Sequence, residues 1–288
     1  MIRRPPRSTP KPSSAASDVY KRQNYDWPTT EKAASNLYML IGQSENIAME
    51  LMRMYLNGAY KGVHVAQESP NRSWLRRVGL DDDGEIYKSK SSDGCCSGFD
   101  PTFPNCPRGS SDFCASNLGW KSFYTTDVLP RMYIKRGDSL APFTSLEDFI
   151  FGLRDNSGSR ALNFINNNTK SYNWLYKSVV PSLQPHCDYH AKNFYIMRSP
   201  EGLWDVIFFD YDRFWGCLMF QGSTCHSVSE SPKCSGTMFN SRVYGNSTLN
   251  SRFLNILEDA AQVLTPEVVG DMLVHYFDMT TADRAQER

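Results

Sequence analysis

Several common features are missing from this sequence. No run of about 18 or more apolar residues occurs, which argues against a transmembrane helix. Neither charge sign is in excess, because Lys and Arg total 31, as do Asp and Glu. A neutral chain has no general electrostatic attraction for nucleic acid or for an anionic membrane surface. At 40% hydrophobic and 13% aromatic, the composition favours a soluble, folded protein.

The first 23 residues lack the apolar segment of a signal peptide. They are rich in Pro and Arg and resemble translated adapter sequence. We therefore expect residues 1–23 to be a non-native, disordered extension, with native sequence beginning near Asn24 and a true signal peptide missing. We predict one domain over residues 24–279 and a polar, frayed tail over residues 280–288.

The eight cysteines lie mostly in polar segments rich in Gly, Ser and Pro. Paired CxxC motifs are absent, which disfavours zinc and favours disulfides in an oxidising compartment. Most of these cysteines belong to two predicted insertions, about 89–118 and 217–236. Three glycosylation sequons, at Asn71, Asn167 and Asn246, also favour a secreted or cell-surface glycoprotein. The alternative is a cytosolic protein with free thiols and no glycans.

Strand patterns dominate the first part of the chain, and helical patterns dominate the second. Asn57-Gly58 predicts a hairpin over residues 48–67, because both residues tolerate positive φ. A helix is predicted before it and, after it, a short helix and a strand over residues 85–88. Helical spacing returns at 145–153, 159–166, 171–180, 249–264 and 266–279. This order predicts an α+β fold with a two-lobed body.

The most informative segment is a second predicted hairpin. Asp188 and Asn193 precede the strand that begins at Phe194, residues 199–202 form a turn, and the returning strand ends before Asp210 and Asp212. An antiparallel hairpin returns the end of its second strand to the start of its first. Three carboxylates and one amide are therefore expected at one end of a mostly apolar ribbon.

Clustered carboxylates repel one another, and a hard cation such as Mg²⁺ or Mn²⁺ relieves this repulsion through oxygen ligands. The sequence therefore predicts a site for a metal ion and phosphate. Three other interpretations remain open: turn capping by the same residues, a structural Ca²⁺ site, and a two-metal hydrolase using His186 and His190. The Ca²⁺ interpretation lacks the usual D-x-[DN]-x-[DN]-G spacing.

Segment 188–216 resembles the signature of the spore-coat H (CotH) kinase family, in which an Asp…Asn block and an Asp-x-Asp block flank a short hairpin. Segments 56–68 (LNGAYKGVHVAQE) and 84–88 (GEIYK) are similar to two further motifs of that family. The matches occur in the family's order, over most of residues 48–90 and 145–216.

The resemblance implies an atypical protein-kinase-like fold and ATP-dependent phosphorylation of Ser/Thr hydroxyls on a protein substrate, which in bacteria is a spore-coat protein. Asp188 would be the catalytic Asp, and Asn193 and Asp210 would be ligands of Mg or Mn. Asp212 would be a further ligand or would lie just behind the ligands. No nucleic-acid partner is implied.

The same resemblance implies that Lys88 binds the nucleotide phosphates and that Glu68 orients Lys88. This chain departs from ordinary kinases because it has no G-x-G-x-x-G loop, and His186-Cys187 precedes Asp188. Some proteins that resemble this family are adhesins, so a surface-displayed binding protein without turnover is the alternative function.

Overall fold

The fold is described for six stretches of the chain and one further residue. The computed structural model describes residues 18–19, 28–89, 133–136, 142–182, 193–209, 211 and 238–287. Within these ranges the elements are β1 (Asp18–Val19), α1 (Pro28–Leu40), β2 (Met49–Leu56), β3 (Ala59–Gln67), α2 (Arg72–Arg77), β4 (Glu85–Ser89), β5 (Tyr133–Arg136), α3 (Thr144–Asp155), α4 (Gly158–Asn168), α5 (Ser171–Lys177), α6 (Val179–Ser182), β6 (Phe194–Arg198), β7 (Trp204–Phe208), α7 (Met238–Tyr244), α8 (Ser247–Val263) and α9 (Pro266–Glu287). All eight cysteines lie outside the described ranges, and so do the predicted insertions apart from Ser89.

A three-stranded antiparallel sheet has the order β1-β3-β2. The predicted hairpin is confirmed: β2 and β3 are joined at Asn57 and Gly58, whose φ angles are 51° and 79°. Asp18–Val19, which belongs to the segment expected to be a non-native extension, pairs with β3. The origin of that segment stays a prediction.

A four-stranded antiparallel sheet has the order β5-β4-β6-β7. The predicted second hairpin is also confirmed, because β6 and β7 pair from Phe194↔Phe208 to Arg198↔Trp204. Ser199 and Leu203 close the turn with a backbone hydrogen bond of 2.9 Å. Gly202 has a φ of 89°, a conformation that glycine adopts without strain.

The helices and both sheets share one hydrophobic core. Residues as distant in sequence as Leu37, Val65, Ile86, Ile196 and Phe253 belong to the same buried cluster. The α+β class is therefore confirmed, whereas the two-lobed, kinase-like arrangement stays a prediction. Within the described ranges, no helix combines the length and the apolar composition that crossing a membrane requires.

The C-terminal helix is longer than its sequence predicts. The frayed tail expected at residues 280–288 is instead a continuation of α9 as far as Glu287. Thr280 and Asp283 are buried, and the Asp283 carboxylate accepts a hydrogen bond of 2.8 Å from Arg53 Nε on β2. Asp283 is thus held by a tertiary contact that the composition of this segment does not reveal.

Candidate active site

Asn193 lies at the open end of the β6–β7 hairpin, where the sequence predicts the metal-phosphate site. Its side chain is buried, at 3% exposure. Its backbone carbonyl accepts a hydrogen bond of 3.0 Å from the Phe209 N–H, so the two strands close at this point. Asp210 is the next residue in the chain after Phe209. Asp188, Asp210 and Asp212 lie outside the described residues, so Asn193 is the one member of this predicted quartet that has a described position.

Lys88 is brought to the same end of the sheet by a pairing that the sequence did not predict. Strand β4 is hydrogen-bonded to β6, with Lys88 opposite Tyr195 and Tyr87 opposite Ile196. Lys88 therefore pairs with a residue that is only two positions from Asn193 in the chain. This pairing places a cationic side chain beside the hairpin that carries the predicted metal ligands.

Aromatic rings support the Lys88 ammonium group. Its Nζ lies 4.9 Å from the centroid of the Phe209 ring and 5.8 Å from that of Tyr195. These two rings lie 4.9 Å apart and are both buried. A cation over an aromatic face is attracted by the ring quadrupole. The ammonium group thus points towards the chain segment that leads into Asp210.

Glu68 has a different partner from the one expected. Its carboxylate accepts hydrogen bonds from Arg77 Nε at 2.8 Å and from Arg77 Nη2 at 2.6 Å, a bidentate pair. Arg77 also donates to the Asn46 carbonyl at 2.9 Å, which ties α2 to the segment before β2. The described contacts of Glu68 do not include Lys88. Its role in orienting Lys88 stays a prediction.

A buried ionic network, which was not predicted from the sequence, joins β7 to α5. Lys177 Nζ donates to Asp205 Oδ2 at 2.7 Å and to Glu45 Oε2 at 2.9 Å. Asn173 Nδ2 donates to the same two carboxylates, at 2.8 Å and 2.7 Å. The signal in the sequence was an acidic residue inside the apolar strand Trp-Asp-Val-Ile-Phe, where a charge requires a partner.

The pKa values of the two carboxylates in this network are shifted in opposite directions. Burial raises the pKa of Asp205 above its usual value, although the Lys177 charge opposes the shift. Burial also acts to raise the pKa of Glu45, but there the Lys177 charge and hydrogen bond prevail and the pKa is lowered. Lys177 therefore holds Glu45 ionised and offsets the cost of burying Asp205. The described contacts of Lys177 therefore indicate a structural role for this network.

Oxygen donors alone make up the predicted metal site, and such a set fits a hard divalent cation. Asn193 supplies a buried amide side chain, whose oxygen can ligate a metal, at the appropriate end of the hairpin. Among the residues that the structure describes, no three His, Cys, Asp or Glu side chains form a group that could hold a metal ion. A metal at this site would therefore depend on Asp188, Asp210 and Asp212 in addition to Asn193.

The sequence model of one protein family, described as CotH kinase protein, matches residues 31–283. The chain belongs to the CotH kinase family. The match covers most of the chain, including both hairpins, Lys88, Asn193 and helix α9 as far as Asp283. Family membership indicates a kinase-like protein and suggests the use of ATP and a divalent metal. No curated protein matches the chain by sequence.

Membership in the CotH kinase family confirms the resemblance that was based on segments 188–216, 56–68 and 84–88. The β4–β6 pairing gives two of these segments a shared location, because residues 85–88 lie in β4 and 188–216 contains β6. Segment 56–68 forms β3 and the turn before it, in the other sheet. The motifs of this CotH kinase protein therefore lie on two sheets that share one core.

Proposed function

We propose that this protein is an atypical protein kinase that transfers the γ-phosphate of ATP to Ser or Thr hydroxyls of a protein substrate. The observation that supports it best is that Lys88 and Asn193 lie at the same end of one four-stranded sheet. A cation and a buried amide beside a chain segment that continues into Asp210 suit a site for a nucleotide phosphate and its metal. Membership in the CotH kinase family points in the same direction.

Each predicted site residue has a separate task in this proposal. Asp188 accepts the proton of the acceptor hydroxyl, and Lys88 pairs with the nucleotide phosphates. Asn193, Asp210 and Asp212 would hold Mg²⁺ or Mn²⁺, which supplies neutralisation of the phosphate charge when bound. Lys88 Nζ lies over the Phe209 ring, next to the chain segment that continues into Asp210, a position that suits contact with an incoming phosphate.

The reaction is a single displacement with no covalent enzyme intermediate. The acceptor oxygen forms a bond to the γ-phosphorus as the bond between that phosphorus and the bridging oxygen of ADP breaks. The hydroxyl proton passes to the Asp188 carboxylate, and ADP departs with the bridging oxygen and its electron pair. The contribution of the protein is positioning and electrostatic stabilisation.

The decisive experiment separates nucleotide binding from transfer. We expect calorimetry to show ATP binding that requires Mg²⁺ or Mn²⁺, and acceptor labelling that is lost in Asp188→Ala while binding persists. Asp210→Ala should lose the metal-dependent part of ATP binding. Asp278→Ala, at an exposed position of α9, is the matched control and should change neither measurement.

Three outcomes would count against the proposal. Absence of metal-dependent ATP binding in the full chain would contradict it directly. Release of phosphate without labelling of an acceptor would indicate a hydrolase. Retained binding to a cell surface or partner protein, with no transfer in the unaltered chain, would favour the adhesin alternative.

We also propose that the protein acts in the secretory pathway or at the cell surface. The eight cysteines and three sequons of the sequence support this location. Asn167 is exposed on α4, which leaves room for a glycan there. A mass decrease after glycosidase treatment of protein from its native source, together with protection of thiols before reduction, would support the proposal. Free thiols and an unmodified mass would contradict it.

A further inference from the structure

A cavity of about 290 Å³ lies at the turn end of the β6–β7 hairpin, away from Asn193. Its apolar lining comes from α2 and the loop that follows it, from β4 and from the hairpin: Leu75, Leu80, Ile86, Met197 and Leu203. Strand β6 separates this turn cavity from Asn193, and five residues of antiparallel strand extend about 17 Å. The turn cavity is therefore distinct from the proposed phosphotransfer site.

The carboxylates that line the turn cavity already have partners. Asp205 accepts from Lys177, as described above, and Glu85 accepts from Lys135 at 3.0 Å and from Ser145 at 2.5 Å. Asp81 accepts a hydrogen bond of 2.9 Å from the Asp83 N–H. Glu201 interacts with the Ser199 hydroxyl. Lysines outside the cavity lining thus compensate the charges of Glu85 and Asp205, whereas Asp81 and Glu201 are hydrogen-bonded to neutral groups.

The two cations that line the turn cavity are less closely paired: the Lys170 charge acts on Glu201 and Glu45 from a distance, and Arg198 lies near Glu85. Lys170 has no side-chain hydrogen bond or ion pair in the part of the chain that the structure describes, whereas its backbone N–H donates to Trp204 at 2.8 Å. That backbone bond fixes Lys170 beside the start of β7. Arg198 approaches Glu85 only to 3.9 Å, which is longer than a hydrogen bond.

Glycine at position 202 leaves room for the Arg198 guanidinium. A Cβ atom at position 202 would lie 3.3 Å from Arg198 Nη2, closer than most such contacts. The guanidinium therefore rests against the turn backbone and remains next to the cavity. Its approach to Glu85, at 3.9 Å, is too long to satisfy any of its hydrogen-bond donors.

We propose that the turn cavity binds a small ligand with an apolar body and an anionic head group, either a carboxylate or a phosphate. The apolar residues would bury the body, and Lys170 and Arg198 would bind the oxygens of the head group. A guanidinium matches the two oxygens of a carboxylate or phosphate, and charge-assisted hydrogen bonds are the stronger kind. The cavity volume corresponds to a compact ligand of this type. This site does not depend on the proposed phosphotransfer.

The test uses four probes that share one ring: phenyl phosphate, benzoate, benzyl alcohol and benzylamine. Binding to the full chain is measured by calorimetry without divalent metal, and again in the presence of saturating ATP and Mg²⁺. We expect phenyl phosphate and benzoate to bind, benzyl alcohol and benzylamine to bind at least about tenfold more weakly, and ATP not to compete. The ratio of phenyl phosphate to benzoate affinity distinguishes the two head groups.

Variants locate the binding. Arg198→Gln and Lys170→Gln should each weaken the binding of both anionic probes about tenfold or more, and Arg198→Lys should have an intermediate effect. Arg160→Gln on α4, at an exposed position outside the cavity lining, is the matched control. Circular dichroism of each variant establishes that it is folded, and Arg198→Lys retains the charge if Arg198→Gln does not fold.

Four results would overturn the proposal. They are absence of binding by both anionic probes, equal binding of benzyl alcohol, tighter binding of benzylamine, and unchanged affinity in the folded double variant of Lys170 and Arg198. Competition by ATP would place the probe at the phosphotransfer site instead. Because ATP binding and acceptor labelling are measured separately, failure of this site is distinguishable from failure of the proposed kinase function.

Discussion

Lys177 and Asp205 form an ion pair in the interior of the protein, with 2.7 Å between Nζ and Oδ2 and side-chain exposures of only 2% and 3%. Two ions buried in this way lose their hydration, and Asp205 depends on Lys177 for a counter-charge. The pair joins the last residue of α5 to the second residue of β7. The strand that leads to Asp210 is thus attached to the helical part of the core.

The first prediction concerns the loss of one partner of this pair. Lys177→Met should lower the free energy of unfolding by about 3–5 kcal/mol, because it leaves Asp205 buried without a counter-charge. Lys177→Met combined with Asp205→Asn should recover much of that loss. Urea unfolding followed by circular dichroism measures both changes.

The matched control for Lys177→Met is Lys32→Met. Lys32 pairs with Glu50 at 3.0 Å, but the Glu50 side chain is 74% exposed. A surface pair contributes less than about 1 kcal/mol, so Lys32→Met should change stability by no more than that. Equal losses in the two variants would show that burial of the Lys177 pair has no special cost.

The second prediction concerns pH and Glu85 on β4. Burial acts to raise the pKa of Glu85, but hydrogen bonds from Ser145 and Lys135 prevail and hold it below its usual 4.5. The unfolded chain therefore binds this proton more readily than the folded chain does. The resulting stabilisation is present above about pH 4.5 and is lost as the pH falls through the lower, folded pKa.

Glu85→Gln removes this pH dependence. The stability difference between the unaltered chain and Glu85→Gln should be largest near neutral pH and should shrink as the pH falls below about 4.5. Urea unfolding at several pH values measures it, with Glu258→Gln on the exposed side of α8 as the control. A difference that stays constant over the acid range would contradict the prediction.

The third prediction pairs two glycine substitutions of opposite sign. A Cβ atom at Gly58 or at Gly270 would meet no atom within 4 Å, so neither change creates a clash. Gly58 has a φ of 79°, which an alanine adopts only with strain, whereas Gly270 lies within helix α9. Gly58→Ala should therefore destabilise the protein by about 1–2 kcal/mol, and Gly270→Ala should stabilise it by up to about 1 kcal/mol.

Thermal unfolding of the two variants under identical conditions checks both signs in one comparison. If both substitutions destabilise the protein, α9 is not a regular helix around residue 270. If both stabilise it, the turn of the β2–β3 hairpin does not require positive φ. Either outcome would contradict the local geometry on which the prediction rests.

Both hairpins could be predicted because their signals are local. Asn57-Gly58 forms the first turn with two positive φ angles, and the polar turn at 199–202 separates two apolar strands. Residues within a few positions of one another determine such turns. The same locality explains why the helices at residues 144–155 and 247–263 lie close to their predicted bounds.

Contacts between distant segments could not be predicted from the sequence in the same way. The pairing of β4 with β6, which places Lys88 opposite Tyr195, depends on how the whole chain folds. The helical end of α9 is in contact with β2 through the bond between Arg53 and Asp283, which lie 230 positions apart. Local composition contains no information on either contact, because the polar residues at 280–287 look the same whether exposed or buried.

The fourth prediction tests the role of Lys88 in the proposed kinase function. Lys88→Met retains the apolar stem over Phe209 but removes the charge that would pair with the nucleotide phosphates. We expect kcat/KM for acceptor labelling to fall by about 100-fold or more, because a positioned charge stabilises the phosphoryl group most in the transition state. Lys88→Arg should recover part of the activity. Steady-state kinetics with varied ATP separates an effect on KM from an effect on kcat.

The control for Lys88 is Lys61→Met at an exposed position of β3, which should leave labelling unchanged. Thermal unfolding of Lys88→Met should stay close to that of the unaltered chain, because a cation over aromatic rings contributes only about 1 kcal/mol. Full activity in Lys88→Met, together with lost activity in Asp210→Ala, would remove Lys88 from the nucleotide site and leave the phosphotransfer proposal intact. Unchanged activity in both variants would contradict the proposed site itself, because neither the cation on β4 nor the predicted metal ligand would then contribute to transfer.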